Sequence, residues 1–264
     1  MLTLFKSSPL LSDSEVEWLI DTFVWACEQF DGQYFMTETQ IIEPTGKFFP
    51  DQVSSVEQMA STVFKRVSHY AGMQSWPISV VNPQQHMQQQ SMPKFTFVDE
   101  IRGEKAQLVN APAIDMQLSY NPNQINQPQD LVASFAGSLA TVMIYHRGIL
   151  PPGGEAQVAA ASDALACFLG FGVMMSNTVY QFKGGCGSCY NPYANRQAAL
   201  TEPQTVFMHA LICHFKPQID GKKHLKPHLR GVYKKAQKQL KNYINDTPNP
   251  FLLALEEQRH VRLS

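Results

Sequence analysis

Residues 130–146 read DLVASFAGSLATVMIYH, and how this stretch is taken decides the fold. It reads as a buried helix, with Ala136, Gly137 and Ala140 small enough to let another backbone come close. The stretch that follows, ILPPGGE at 149–155, breaks the pattern and separates two antiparallel helices. EAQVAAASDALACFLGFGVMMSN at 155–177 opens the second, expected over 155–182, and the segment from Phe168 to Gly172 offers a tight helix contact. Two more helices are expected at 202–216 and 227–245; Thr201 with Gln204 caps the first, and Pro203 sits in its opening turn, where a missing N–H costs little.

Upstream the character differs. Ser12 with Glu15 forms a capping box, and Val16, Leu19, Ile20, Phe23, Val24, Cys27 and Phe30 then recur at helical spacing. A second box, Ser54 with Glu57, opens a helix to about Tyr70 with Val56, Met59, Val63 and Val67 inward, and QIIEPT at 40–45 between them reads as a short strand. PISVVN, KFTFVDEI, AQLVN and AIDMQL, between 77 and 118, are strand-like and separated by polar loops, one of them rich in Gln. The expectation is an α+β fold: N-terminal helices with a small, mostly antiparallel sheet over 1–127, then a helical part over 128–264, packed together as one body.

The chain of 264 residues carries a net charge of −1, with 44% hydrophobic and 16% charged residues, which suits a folded protein and gives no global pull toward polyanions. No secretion signal is legible, and the longest apolar run, 164–175, is short of the roughly 20 residues a bilayer requires. Five cysteines do not suggest a disulfide framework. A cytoplasmic protein without a membrane partner is expected.

The pair of apolar helices, the break between them and the later LTEPQTVFMHAL at 200–211 resemble, in framework and order, bacterial zincin-like proteins of the thermolysin (HExxH) type over 130–215. In that family two histidines one turn apart hold zinc, the intervening Glu activates its water, and the next helix adds a Glu ligand and a supporting Asp. Carried across, the first histidine falls on Gly137, the catalytic Glu on Ser138, the second histidine on Thr141 and the third ligand on Ala159; the supporting Asp is retained as Asp163. Gly and Ala have no ligating side chain, and a lone Thr hydroxyl is a poor zinc ligand. His146 is nine residues past Gly137 and points to another side of the helix. The resemblance implies a degenerate peptidase scaffold, acting as a binding or structural module toward a protein or peptide. The alternative is a metal-dependent hydrolase with a non-standard site using Glu155, Asp163 or Glu43.

A second candidate metal site comes from spacing. FKGGCGSCYNPY at 182–193 carries Cys186 and Cys189, and HALIC at 209–213 carries His209 and Cys213 on one helix face. C-x2-C-x19-H-x3-C is a ligand set for a closed structural zinc. Unligated core residues are the competing reading, and a redox pair a third. Last, 222–241 holds eight Lys and Arg and no acid. Arg230, Lys234, Lys238 and Lys241 form a cationic stripe opposite an apolar face. Such a stripe neutralises phosphates in an anion- or nucleic-acid-binding module, or is simply the solvated side of a docked helix. No aromatic residues interleave with it for base stacking, so nucleic acid is not the expected partner.

Overall fold

The computed structural model describes residues 8–86, 93–179, 195–246 and 249–263, with side chains to 258. Helix α1 (Asp13–Gln29) starts at the expected Ser12–Glu15 capping box. A short α2 (Gly32–Thr37) follows, and α3 spans Val56–Tyr70. The cap of α3 is Ser55, whose Oγ accepts from Gln58 N at 3.1 Å, and not Ser54. That places Val56 in the first turn, where it is 43% exposed and not inward as expected.

The four strand-like segments all form strands: β1 (Ile78–Val81), β2 (Thr96–Phe97), β3 (Leu108–Asn110) and β4 (Met116–Ser119). They make two separate pairs. β2 and β3 are antiparallel, whereas β1 and β4 run parallel, with Ile78 opposite Met116 and Val81 opposite Ser119. The α+β class therefore holds, with its strand pairs divided between the two senses.

The segment 40–45 is not a strand. Ile41 and Ile42 are buried like strand residues, but they dock on a kinked helix. α5 (Val158–Ala166) runs into a π-helical turn (Cys167–Phe171) before α6 (Gly172–Asn177). At Gly170 the backbone takes φ +105°, a conformation costly for any residue with a Cβ, and its carbonyl accepts from Ile42 N at 2.9 Å. A Cβ there would sit 2.1 Å from Gln40 O, so Gly170 is required by this close approach. The expected single helix over 155–182 is thus interrupted to receive another segment. The stretch Glu155–Asn177 is long and apolar enough to span a bilayer, yet 89% of its most apolar window is buried within the fold, as in a core helix.

α4 (Pro128–Arg147) packs antiparallel to α5, ends at Gly148 in the left-handed conformation, and rests on α3. α7 (Glu202–His214) begins at its expected capping box and packs on α6 and on α8 (Pro227–Asp246), and α9 (Pro250–Leu263) follows. One apolar core runs through both the N-terminal and C-terminal parts, joining for example Phe23, Phe35, Phe168 and Phe215 through ring contacts. Two buried cations tie helix ends together beside this core. Arg102 donates to Ala71 O (2.9 Å), Phe30 O (3.4 Å) and Thr39 Oγ1 (3.0 Å), so it gathers the carbonyls at the C-terminal ends of α1 and α3, where helix dipoles favour a cation. Burial pulls its pKa down to about 10. Lys216 similarly donates to Phe35 O and Met36 O in the last turn of α2.

Candidate functional site

Asp163, the one peptidase-type residue retained by the resemblance, is buried on α5 and its carboxylate is fully engaged. Its Oδ1 accepts from Arg196 Nη1 at 2.6 Å, and its Oδ2 accepts from the backbone N–H groups of Ala199 and Leu200 at 2.8 and 3.0 Å. Arg196 is held from two further sides. Its Nε donates to Thr178 Oγ1 at 3.2 Å, and its backbone N–H donates to Asp130 Oδ1, in the first turn of α4, at 2.9 Å. The segment 195–200 is thereby strapped across α4 and α5 by two buried carboxylates. A buried ion pair persists only when its members are this well bonded, because desolvation otherwise outweighs the attraction.

Between this strap, α4 and the segment after β4 lies a cleft of about 240 Å³. Its walls include Ser134 and Ser138 of α4, Asn121, Gln124, Asn195 and Arg196. Ser134, Gly137, Ser138 and Thr141 are all half-buried, so one side of α4 presents small residues here where its other sides are packed into the core. Two atoms of wall residues, Arg196 Nη2 and Gln124 Oε1, are shielded from water and have no hydrogen-bond partner. Among the described residues these are a buried donor and a buried acceptor without partners, at a cost of roughly 1–3 kcal/mol each.

The peptidase-equivalent positions lie along the same side. Thr141 Oγ1 is 3.0 Å from Gly137 O and 2.9 Å from Ser162 Oγ, so its hydroxyl is spent on bridging α4 to α5. A Cβ on Gly137 would meet nothing within 4 Å, and Ala159 is exposed. Space for side chains exists at these positions; donors do not. The residues present do not fit a catalytic zinc. His146 is taken up by ring contacts with Phe95 (4.5 Å) and Trp76 (4.9 Å). Glu155 is exposed, and Glu43 lies 3.4 Å from His224. Glu155, Asp163 and Glu43 are each engaged or exposed separately, and among the described residues no three His, Cys, Asp or Glu side chains are grouped to hold a metal.

Of the candidate structural zinc site, Cys186 and Cys189 lie outside the described residues. His209 and Cys213 are buried together on α7, with Sγ 3.7 Å from Nδ1. His209 Nε2 is 2.8 Å from the carbonyl of Gly221, which only accepts, so Nε2 carries the proton and Nδ1 keeps the lone pair. Burial pulls the His209 pKa down to about 4 and pushes the Cys213 thiol up to about 12. Sγ is 3.7 Å from Nε2 as well, so it lies no nearer the free lone pair than the protonated nitrogen, and Nδ1 packs against Gly172, where a Cβ would sit 2.4 Å from it.

Two of the other cavities are larger than 300 Å³. One, of about 340 Å³, is apolar and lies between α3 and the start of α4, with the exposed Arg66–Asp51 pair on its wall. The other, of about 620 Å³, is wide and acidic, over Asp31 and Arg102.

The Asp163–Arg196 pair and the strap it anchors were not legible in the sequence; no local spacing connects 163 to 196. Compared with models of protein families, with curated proteins and with solved structures, the chain has no match.

Proposed function

We propose that this protein is a non-catalytic, zincin-like binding module whose ligand seat is the polar cleft beside Ser138. The observation that carries the reading is the side of α4 on which a peptidase would place its ligands. Here it bears Ser134, Gly137, Ser138 and Thr141, it opens on the cleft, and Thr141 meets Ser162 on the antiparallel helix, three residues after Ala159 and one before Asp163. That register supports the zincin-like resemblance. The Asp that would orient a histidine instead holds a guanidinium. At about 240 Å³ the cleft is below the roughly 300–1,000 Å³ of small-molecule pockets, which suits a short segment of a longer chain.

A structural zinc on Cys186, Cys189, His209 and Cys213 belongs to the same proposal, supported by the ligand spacing and by the placing of His209 and Cys213 side by side on α7. Among the described residues Cys27, Cys167 and Cys213 form no disulfide, which agrees with a reducing, cytoplasmic setting.

The test uses the intact protein and a panel of N-acetyl dipeptide amides followed by NMR. Shifts confined to residues around Ser134, Ser138 and Asn195, lost in Ser138→Phe, are expected, with no chelator-sensitive peptide hydrolysis. Hydrolysis that stops on chelation and in Asp163→Asn, or no binding by any member, overturns the proposal. Metal analysis of protein purified without chelators tests the structural zinc separately; fewer than one equivalent with all thiols titratable removes it.

A further inference from the structure

We propose that the outer face of α8 docks on the phosphodiester backbone of a nucleic-acid duplex without reading its sequence. The chain as a whole carries −1, but 222–241 holds eight cations and no acid, so the remainder carries −9. This separation of charge is maintained in the fold. Leu229, Tyr233, Ala236 and Leu240 bury one side of α8 against the body of the protein, and Arg230, Lys234, Lys235, Lys238 and Lys241 are all exposed on the other. Among the described residues, no carboxylate pairs with Lys234, Lys235, Lys238 or Lys241. The face is therefore not neutralised from within.

The shape of the array selects the partner. Arg230, Lys234, Lys238 and Lys241 rise along one side of a straight 20-residue helix, about one charge per turn over roughly 16 Å. A linear row of cations on a rod is complementary to a linear row of phosphates. A bilayer surface is a poorer match, because an interfacial helix inserts an exposed apolar face and the apolar side of α8 is used in the core. A single strand is also a poorer match, since no aromatic side chain lies in the row for bases to stack on. Missing aromatics count against base stacking alone; they do not weaken backbone neutralisation.

Counterion release sets the expected magnitude. With about four phosphates neutralised, the logarithm of the association constant should fall with the logarithm of salt at a slope of about −3.6, or about 150-fold between 50 and 200 mM. The experiment is fluorescence anisotropy of the full chain with a labelled 24-base-pair duplex of arbitrary sequence, from 20 to 200 mM salt. Poly(U) and vesicles containing 30% phosphatidylserine serve as competing probes. Lys234→Gln, Lys238→Gln and Lys241→Gln together should reduce the slope by about 2.7 while far-UV dichroism and melting are unchanged, because all three side chains are exposed. A scrambled duplex should bind equally. The proposal fails if no duplex binding occurs at 20 mM salt, if the triple variant keeps the parental slope, or if vesicles or poly(U) bind more tightly than the duplex.

Discussion

Removing the carboxylate of Asp163 should be among the most damaging single changes available in this protein. In Asp163→Ala the guanidinium of Arg196 stays buried, with Thr178 Oγ1 as its remaining partner, and the N–H groups of Ala199 and Leu200 lose their acceptor. Breaking a buried pair from one side costs about 3–5 kcal/mol, because a desolvated charge is left uncompensated. Replacing both members, in Asp163→Leu with Arg196→Met, removes the charge along with its partner and should cost less than the two single changes together. The coupling energy is expected to be about 2 kcal/mol. Asp163→Asn is a milder case: it keeps one acceptor oxygen, enough for the two backbone groups or for the guanidinium but not for both. Urea denaturation followed by fluorescence reads these differences as midpoint shifts at constant slope. If Asp163→Ala unfolds within about 1 kcal/mol of the parent, or if the double change is additive, the strap is not held as described.

Gly170→Ala should destabilise by about 3 kcal/mol or more, read by the same denaturation, since φ is +105° and the added Cβ would lie 2.1 Å from Gln40 O. Arg102→Met should cost about 3 kcal/mol by leaving the carbonyls of Ala71 and Phe30 unpaired, and Arg102→Lys should not rescue it, because an ammonium lacks the planar fork that reaches both carbonyls and Thr39. In protein freed of metal by chelation, burial holds the folded pKa of His209 at about 4, below its unfolded value, so the unfolded chain binds the extra proton between these limits. Its stability contribution is whole above about pH 6.5 and is lost as pH falls toward 4, roughly 3 kcal/mol in all, and His209→Gln should flatten that part of a stability–pH curve. Restoring the ligands as Gly137→His, Ser138→Glu, Thr141→His and Ala159→Glu should create a zinc site detectable by isothermal titration. Affinity should be about 10–100-fold below that of a site with a free supporting Asp, since Asp163 already holds Arg196; no binding at all would count against the zincin-like register.

The helices were legible wherever a periodic apolar face coincided with a local start signal. Ser12 with Glu15 and Thr201 with Gln204 are complete in themselves, each pair satisfying its own amides, so α1 and α7 begin where expected. Where two serines adjoin, at 54 and 55, the same chemistry is available one residue apart, and the choice between them falls to packing. Burial without periodicity misled in a different way. Ile41 and Ile42 carry the composition of a strand, but their backbone partner is Gly170, 128 residues away from Ile42, at a kink that no helix propensity reveals. A strand assignment needs a neighbouring strand, and composition alone does not supply one.

The site has the same division. That the α4 face lacks donors follows from identities alone: Gly137, Ser138 and Thr141 cannot assemble a zinc centre whatever the fold. What surrounds Asp163 depends on long-range pairing. Asp163 is buried and hydrogen-bonded; its partner is an arginine in a loop of otherwise small and polar residues, where nothing local distinguishes Arg196 from a solvated surface cation. A buried carboxylate requires a source of positive charge, and the fold provides it by bringing 195–200 across two helices. The strap that satisfies Asp163 also forms one wall of the cleft, so the group that neutralises the buried carboxylate is the group that shapes the cleft beside Ser138.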